Sequence, residues 1–271
     1  MAQVARTDQA WKQWGDVDPY YGVLTDEKYR GKNLGDAEKD EFFASGRERV
    51  DYILQEASRF LGRDFQPQKI LDYGCGVGRL ALAFADRAAE VTGIDVSEGM
   101  LREAEVNAQR LGTHNIQWLA IDGTTLPTDE QFDFVHSFIV FQHIRPQQGL
   151  SLFQQLVERI RPGGIGAIQL TYSRSQYAEY QGLPSPRPSA REIWRRVWLN
   201  SPVRRHLKAM LGKPVQPEME MNAYHLNQVF FLLQSIGIDQ VHTEFTNHGG
   251  HLGVSLMFAK PSAAGQVSKA A

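Results

Sequence analysis

The stretch "ILDYGCGVGRL", residues 70–80, decides the fold that the sequence predicts. Its first residues indicate a buried strand, and glycines then follow at every second position, at Gly74, Gly76 and Gly78. Glycine inside a regular element costs roughly 0.5–1 kcal/mol relative to alanine, so this cluster indicates that something approaches the backbone closely. Asp95 follows Gly74 by 21 residues, at the end of the next apolar run, where an acidic side chain can accept hydrogen bonds from a ribose. Together these features predict a site for a nucleoside-containing cofactor.

The composition is that of a globular protein with a sizeable core. The chain has 271 residues, of which 42% are apolar and 22% charged, and its formal net charge is −2. Such a charge gives no general attraction to nucleic acid or to a membrane surface. Cys75 is the only cysteine, so no internal disulfide can form. The start "MAQVARTDQAWKQW" does not resemble a secretory signal, and no apolar run suits a membrane span, so we expect a cytoplasmic protein.

Short apolar runs alternate with helical patterns along most of the chain, which is typical of βαβ units around a parallel sheet. The expected strands are 69–73, 90–96, 116–122, 132–141 and 164–172, followed by strands near 238–246 and 252–260. The expected helices are 38–60, 79–88, 97–111, 147–160 and 222–236. Ser97 is predicted to cap the third of these helices and Gly112 to end it. The sequence "RPGG" at 161–164 predicts a turn before the fifth strand.

The spacing of the glycines indicates which kind of nucleoside cofactor binds. The dinucleotide pattern is G-x-G-x-x-G, but here the third glycine comes one residue early. A phosphate-binding loop would need Lys and Ser or Thr after the last glycine, where this chain has Arg79 and Leu80. Asp72 precedes the loop, and a carboxylate suits an ammonium group better than a pyrophosphate. The loop therefore predicts an uncharged or cationic nucleoside such as S-adenosylmethionine.

Five segments in order and spacing resemble the class I S-adenosylmethionine-dependent methyltransferases. They are "LDYGCGVG", "GIDVS", "AIDG", "FDFVHSFIVFQHI" and "RPGGIGAIQ". The resemblance covers roughly residues 67–172, and the closing helix and two strands match more weakly. It implies a Rossmann-like, doubly wound α/β fold whose mostly parallel sheet of seven strands ends in an antiparallel strand. It also implies S-adenosylmethionine as the cofactor.

The resemblance further implies roles for individual residues. Asp72 and the loop would cradle the methionine and ribose portion, Asp95 would hold the ribose hydroxyls, and Asp122 would lie near the adenine amine. The cofactor-binding residues implied in this way are Asp72, Gly74, Cys75, Gly76, Gly78, Asp95, Val96, Met100, Asp122, Gly123 and Phe138.

Each of these assignments has a plain structural alternative. Asp72 could cap the following helix, Asp95 could be an ordinary residue of a strand-end turn, and Asp122–Gly123 could be only a turn. Met100 could equally belong to the core. Cys75 is predicted to be a small residue that fits the loop rather than a reactive thiol.

Three histidines are candidates for the general base that a hydroxyl or protonated amine acceptor needs. His143 follows the fourth strand, at the edge of the sheet where ligands bind. His248 and His251 lie in "TNHGGH", which the resemblance places in a hairpin on the same side. We rank His143 first; its alternative is a structural role under the loop, and that of the other two is an exposed hairpin. No metal site is predicted, because no H-E-x-x-H or paired C-x-x-C spacing occurs.

Two segments outside the common core are expected to select the substrate. The aromatic N-terminal stretch with Tyr20 and Tyr21 could close over the cofactor as a lid, or merely cover the core. Arg47 could reach the cofactor carboxylate, although a solvated arginine is the simpler interpretation. Residues 173–213 hold nine Lys or Arg against two Glu, with Trp194 among the interleaved aromatics. This insertion is predicted to be a helical cap, and binding of a phosphorylated small molecule, RNA or anionic lipid is its alternative.

The expected organisation runs from an N-terminal lid through a cofactor-binding core, a cap insertion and a closing helix with hairpin to a disordered tail. The boundaries are 1–66, 67–172, 173–221, 222–260 and 261–271. The expected function is methyl transfer to an oxygen or nitrogen of a small molecule, such as a specialised metabolite or a sugar. Two alternatives remain open: methylation of RNA or protein through the basic insertion, and a non-catalytic protein that binds S-adenosylmethionine.

Overall fold

A mixed sheet of seven strands forms the centre of the computed structural model, which describes residues 4–184, 194, 217 and 219–262. The strands are β1 (Lys69–Tyr73), β2 (Glu90–Asp95), β3 (Ile116–Ala120), β4 (Phe132–Ser137), β5 (Ile160–Arg174), β6 (Val241–His248) and β7 (His251–Ala259). Their order is β3-β2-β1-β4-β5-β7-β6; six strands are parallel, and β7 runs antiparallel between β5 and β6. The predicted doubly wound α/β fold with an antiparallel last strand is confirmed.

Helices cover both faces of this sheet. They are α1 (Val4–Val17), α2 (Pro19–Val23), α3 (Asp36–Leu61), α4 (Ala81–Ala85), α5 (Glu98–Leu111), α6 (Pro146–Glu158) and α7 (Leu226–Ser235). Successive side chains of a strand point to opposite faces of the sheet, so neighbouring residues of β1 contact different helices. Leu71 belongs to a core cluster with residues of α6 and α7, whereas Ile70 belongs to one with residues of α3 and α4.

The N-terminal helices pack on α5 and form a third cluster. Trp14 of α1 is 3% exposed, and the Tyr20 hydroxyl of α2 donates to Glu103 and lies 2.8 Å from the Asn107 side-chain oxygen. Gly15 lies so close to the start of α5 that a Cβ atom there would be 2.8 Å from the backbone nitrogen of Met100. The N-terminal segment therefore packs closely against the start of α5.

Several local predictions are confirmed at residue level. β1 occupies Lys69–Tyr73 as expected. The Ser97 hydroxyl accepts a hydrogen bond from the Met100 N–H and caps α5, and Gly112 ends that helix in the left-handed conformation. These features depend on residues only a few positions apart, so they can be predicted from the sequence.

Other boundaries differ from the prediction. β4 ends at Ser137 rather than at 141, because Ile139 has a φ of 61° and a short 3₁₀ helix follows. The "RPGG" segment lies inside β5 instead of forming a turn before it. The β4–β5 pairing shifts there, and the Gly163 N–H donates to the Lys260 carbonyl. The second predicted helix is confined to α4 and is shorter than expected.

The predicted cap and tail fall mostly on residues outside the described ones. At the start of the insertion, β5 continues to Arg174 and a 3₁₀ helix follows at Ser175–Tyr180. Of residues 185–218, the structure describes only Trp194 and Pro217, and of the tail only residues 261–262. None of the helices in the described part of the chain has the length and apolar character that crossing a membrane requires.

Candidate active site

A cavity of about 600 Å³ lies at the carboxyl ends of β1, β2 and β4, beside the N-terminal helices. Parallel α/β sheets bind their ligands at this edge. The predicted site residues that line it are Asp72, Gly74, Cys75, Gly76, Asp95, Val96, Met100, Gly123, Phe138, His143, His248 and His251. The predicted residues that do not line it are Gly78, Asp122, Tyr20, Tyr21 and Trp194.

The glycine loop follows β1 and forms one wall of the cavity. Gly74, Gly76 and Gly78 have φ values of 76°, 54° and 85°, which L side chains rarely adopt. A Cβ atom on Gly74 would also lie 2.7 Å from Cγ1 of Val140, and one on Gly76 would lie 2.6 Å from Cγ2 of Val23. The glycines thus serve backbone conformation and close packing of these two valines as well as leaving room for a ligand.

Gly78 does not line the cavity, whereas Cys75 lines it as predicted. Gly78 lies next to the Trp118 ring, where a Cβ atom would be 3.1 Å from Cη2, and not at the cavity. Cys75 is buried, and this burial raises the pKa of its thiol well above the ordinary value. Both fit the interpretation of small residues that let the loop pack.

Asp95 ties the end of β2 to the glycine loop. Its Oδ2 accepts a hydrogen bond from the Gly76 N–H at 2.9 Å, and its Oδ1 accepts one from the Ser97 N–H at 2.9 Å. Burial raises the pKa of this carboxyl to about 6, although the two N–H donors act in the opposite direction. A ribose that donates to the same carboxylate would add to this network.

Beyond β2, the acidic residue at the cavity is not the predicted Asp122. The Asp122 carboxylate is exposed and accepts hydrogen bonds from Thr124 and Thr125, which lower its pKa. It is a turn residue outside the cavity. Asp8 of α1 lines the cavity next to Gly123 instead, and burial raises its pKa. Asp8 could not be predicted from residue patterns, because its position depends on the docking of α1.

Asp72 is buried beside a histidine that the sequence analysis missed. His136 of β4 lies directly opposite in the parallel register, with 3.0 Å between its Nδ1 and Oδ1 of Asp72. Both residues are 2% exposed. Asp72 lines the cavity and does not cap the following helix, whose N-cap is Leu80. The histidine inside the otherwise apolar stretch "FDFVHSFIVF" was the available signal.

Arginines that contact this region are Arg79 and Arg49, whereas Arg47 is exposed. Arg79 lines the cavity and is 7% exposed, and burial lowers its pKa to about 10. The Arg49 guanidinium lies over the Phe138 ring, 4.2 Å from its centroid. The Nε atoms of both are buried, and neither has a hydrogen-bond partner among the described residues. Buried donors in this state are suited to receiving an anionic group.

His143 lies after β4 with both ring nitrogens engaged. Its Nδ1 is 2.9 Å from the Glu220 carbonyl oxygen, and its Nε2 is 3.1 Å from Nε2 of Gln142. Because a carbonyl oxygen can only accept, Nδ1 carries the proton and Nε2 keeps its lone pair. Burial lowers the pKa of the ring to about 4. His143 is thus held as a neutral imidazole in the cavity wall.

His248 and His251 face each other across the β6–β7 hairpin and both line the cavity. Burial and the nearby Arg49 charge lower the pKa of His248, and burial followed by the Arg174 charge lowers that of His251. The Nε2 atom of His248 is buried, with no partner among the described residues. The hairpin therefore brings two uncharged histidines to the same cavity as His143.

The N-terminal segment lines the cavity through residues other than the predicted tyrosines. Tyr20 is 2% exposed in the core, and the Arg30 guanidinium lies over the Tyr21 ring, 3.6 Å from its centroid. Trp11, in contrast, lines the cavity and contacts the His143 ring, with 4.7 Å between ring centroids. Trp194 is 64% exposed, and its neighbours in the chain lie outside the described residues.

A group of potential metal ligands lies away from the cavity. The ligand atoms of Glu56, His242 and Glu244 are within 4.8 Å of one another. None of these residues lines the cavity, and Glu244 also accepts a hydrogen bond from the Tyr52 hydroxyl. The group therefore has no part in the candidate active site.

Solved structures with the same fold cover almost the whole chain. Magnesium protoporphyrin IX methyltransferase from Synechocystis, with bound SAH, has a TM-score of 0.61 at 15% identity and matches 94% of this chain and 99% of that one. The N-methyltransferase NodS from Bradyrhizobium japonicum, also with SAH, has a TM-score of 0.57 at 14% identity and matches 95% and 100%. At such identities the likeness concerns the fold.

The comparisons by sequence match about a third to a half of the chain. Residues 70–164 match a family model described as a methyltransferase domain. The ubiquinone biosynthesis O-methyltransferase of Dinoroseobacter shibae is 32% identical over 123 residues, which are 43% of this chain and 49% of that protein. The corresponding enzyme of Rickettsia typhi is 30% identical over 135 residues, or 50% and 53%. The chain thus spans about half the length of these relatives. Over residues 70–164 the chain is thus similar to a methyltransferase domain, and its fold resembles that of solved methyltransferases with bound SAH.

Proposed function

We propose that the chain transfers a methyl group from S-adenosylmethionine to an oxygen atom of a small molecule. One observation carries the proposal: residues suited to binding the cofactor and residues suited to accepting a proton line the same cavity. Asp72 and Asp95 flank the glycine loop, His143 lies in the 3₁₀ helix after β4, and His251 begins β7. The matching relatives are O-methyltransferases, which supports oxygen as the acceptor atom.

The residues around the loop fit the proposed cofactor, which supplies an electrophilic methyl group on its sulfonium sulfur when bound. Asp95 would accept hydrogen bonds from the ribose hydroxyls, and Asp72 would face the ammonium group. The Nε of Arg79, which has no hydrogen-bond partner in the part of the chain that the structure describes, would donate to the carboxylate. The Asp72 carboxylate beside the loop would repel a pyrophosphate, which supports this cofactor over a dinucleotide.

His143 is the residue that we propose as the general base. The Glu220 carbonyl fixes its proton on Nδ1, and the lone pair of Nε2, which accepts from the Gln142 amide, would exchange that hydrogen bond for the proton of the acceptor hydroxyl. Its lowered pKa keeps the ring neutral at pH 7, which makes the base available but weak. Such a base suits an acidic hydroxyl, such as that of a phenol, better than an aliphatic alcohol.

The remaining walls indicate the character of the acceptor. Trp11, Ile144, Met219 and Met221 line the cavity with aromatic, aliphatic and thioether groups. A cavity of about 600 Å³ is of the size that holds a small-molecule ligand. We therefore propose an apolar, aromatic acceptor. A sugar would leave its hydroxyl groups without partners along this apolar wall.

The experiment that tests the proposal has two stages. Calorimetric titration with S-adenosylhomocysteine should give micromolar binding, and NAD⁺ as the control should give none. Transfer of a labelled methyl group from S-adenosylmethionine is then measured with phenols and with amines of matched size. Binding with transfer to phenols supports the proposal. Transfer to amines alone contradicts the acceptor atom, and absence of S-adenosylhomocysteine binding by folded protein contradicts the cofactor.

A further inference from the structure

His136 and Asp72 form a hydrogen bond in the interior of the sheet. The Cα atoms are register partners in the β1–β4 pairing, so the two side chains project to the same face. Their Nδ1 and Oδ1 atoms are 3.0 Å apart, and both side chains are nearly inaccessible to solvent. Such polar groups are costly to bury in a sheet unless each satisfies the other.

The His136 ring is fixed by aromatic neighbours on several sides. Phe134 and Phe138 stack on it with interplanar angles of 27° and 29°, and Phe84 meets it edge to face. A ring packed in this way has little freedom to turn. The direction of its Nδ1–H bond is therefore set by the core.

The hydrogen bond engages only one of the two carboxylate oxygens of Asp72. An ionised carboxylate can only accept, so the proton lies on Nδ1 of His136 and Oδ1 of Asp72 accepts it. No other group in the described part of the chain hydrogen-bonds to Oδ2, and Asp72 lines the cavity. The pair thus leaves one oxygen of a buried, oriented carboxylate for a cationic ligand group.

We infer that His136 is a positioning residue that holds Asp72 in place for the amino group of the bound cofactor. The inference rests on the proposed function and extends it to a residue without contact to the cavity. His136 acts through Asp72 alone. Its effect should therefore be confined to ligands that carry the amino group, and should not extend to the nucleoside part held near Asp95.

The test compares affinities for ligands that differ in the amino-acid portion. S-adenosylhomocysteine carries the amino group, and 5′-methylthioadenosine keeps the nucleoside and sulfur but lacks both the amino group and the carboxylate. A third ligand, the S-adenosylhomocysteine analogue that lacks only the amino group, separates these two. All three are titrated calorimetrically against the full chain and the variants His136→Leu, His136→Gln, His136→Asn and Asp72→Asn.

We expect His136→Leu to weaken S-adenosylhomocysteine about tenfold or more, the size of a hydrogen bond to a charged group. The affinity for the two ligands without the amino group should not change. Asp72→Asn should show the same selective loss. His136→Asn, whose amide N–H can take the Nδ1 position, should restore most of the affinity. His136→Gln places its amide near the Nε2 position, so it should show the loss even if the leucine variant does not fold.

Other outcomes separate this inference from the proposed function. Equal weakening of all three ligands would show a merely structural histidine and overturn the inference. Unchanged affinity for S-adenosylhomocysteine in His136→Leu and His136→Gln would overturn it as well. Absence of S-adenosylhomocysteine binding by the unmodified chain would instead contradict the proposed function.

Discussion

The Asp95 side chain accepts a hydrogen bond from the backbone N–H of Gly76, with 2.9 Å between Oδ2 and the nitrogen. This contact joins the end of one strand to the loop after its neighbour. The same carboxyl has a pKa raised to about 6 by burial. The residue proposed to hold the ribose therefore changes its charge close to physiological pH.

The first prediction concerns this titration. The cofactor should bind more tightly at pH 7.5 than at pH 5. Only the ionised Asp95 carboxylate can accept hydrogen bonds from the ribose hydroxyls and from the backbone N–H groups at the same time. Asp95→Asn should bind S-adenosylhomocysteine roughly tenfold more weakly at pH 7.5, as expected for a lost hydrogen bond to a charged group. It should also lose the pH dependence between these values. Calorimetry at both pH values measures this, and an unchanged pH dependence in the variant would remove Asp95 from the ribose site.

Stability should depend on the same group in the opposite sense. The folded-state pKa of Asp95 is raised above 3.8, so the folded protein holds this proton more tightly than the unfolded chain. Its stabilising contribution is present below about pH 4 and is lost as the pH rises through about 6. As the pH rises through this interval, the free energy of unfolding of the wild type should fall relative to that of Asp95→Asn. Urea unfolding at pH 4 and pH 7 measures the free energy of unfolding of both proteins. An equal change with pH in the two would contradict the prediction.

His143→Ala should lower kcat by about 10²–10⁴-fold if the ring is the general base. Affinity for S-adenosylhomocysteine should stay the same, because His143 lies at the acceptor side of our proposal. Since burial lowers its pKa to about 4, kcat of the wild type should show no acid limb near pH 6.5 from this residue. His242→Ala, an exposed histidine on β6, is the control. Unchanged turnover at saturating acceptor would exclude the role.

Gly74→Ala should destabilise the protein by about 1–3 kcal/mol, because the residue has a left-handed φ and its new Cβ would overlap Val140. Val140→Ala in the same chain should recover part of this loss, since it removes the overlapping methyl groups. Gly112→Ala is the matched control, with a φ of 68° and no atom near its Cβ position. The free energy of unfolding is measured in urea. An equal decrease in Gly74→Ala and Gly112→Ala would show that backbone strain alone, without the overlap with Val140, explains the effect at Gly74.

Arg79→Met should weaken S-adenosylhomocysteine while leaving 5′-methylthioadenosine unchanged, because the guanidinium is proposed to hold the carboxylate. The ligand-free variant should be as stable as the wild type or more stable, since burial already disfavours the charge and lowers its pKa to about 10. Arg47→Met, at an exposed position of α3, is the control and should change neither quantity. Loss of stability without loss of affinity would contradict the prediction.

Tyr20→Phe should lower the free energy of unfolding by about 1 kcal/mol, because the Glu103 carboxylate loses the hydrogen bond that the Tyr20 hydroxyl donates. Affinity for S-adenosylhomocysteine should not change, since Tyr20 does not line the cavity. A variant of ordinary stability with altered affinity would restore Tyr20 to the lid role that the sequence predicted.

The features that could be predicted from the sequence depend on short-range signals. The glycine loop, the N-cap at Ser97 and the end of α5 at Gly112 are each specified within a few residues. The end of β4 could not be predicted, because "FIVF" at 138–141 is as apolar as a buried strand. Only the tertiary environment turns the chain at Ile139.

The missed residues of the candidate site depend on long-range geometry. The Asp72–His136 contact needs the pairing of strands that are 64 residues apart in sequence. The exposed Arg47 and the partly buried Arg49 differ by two positions on one helix, which turns their side chains to opposite sides. A pattern of residue types does not distinguish such cases, whereas helix phase and strand register do.

The close packing of Gly15 against the start of α5 has a practical consequence for work with this gene. The recognisable domain begins at residue 70, yet Trp11, Val23 and Leu24 form part of the cavity wall. An expression clone trimmed to the recognisable domain would expose Met100 and lose one side of the pocket. Fragment libraries or domain swaps designed from the family boundary alone would thus discard one wall of the cavity before any assay begins.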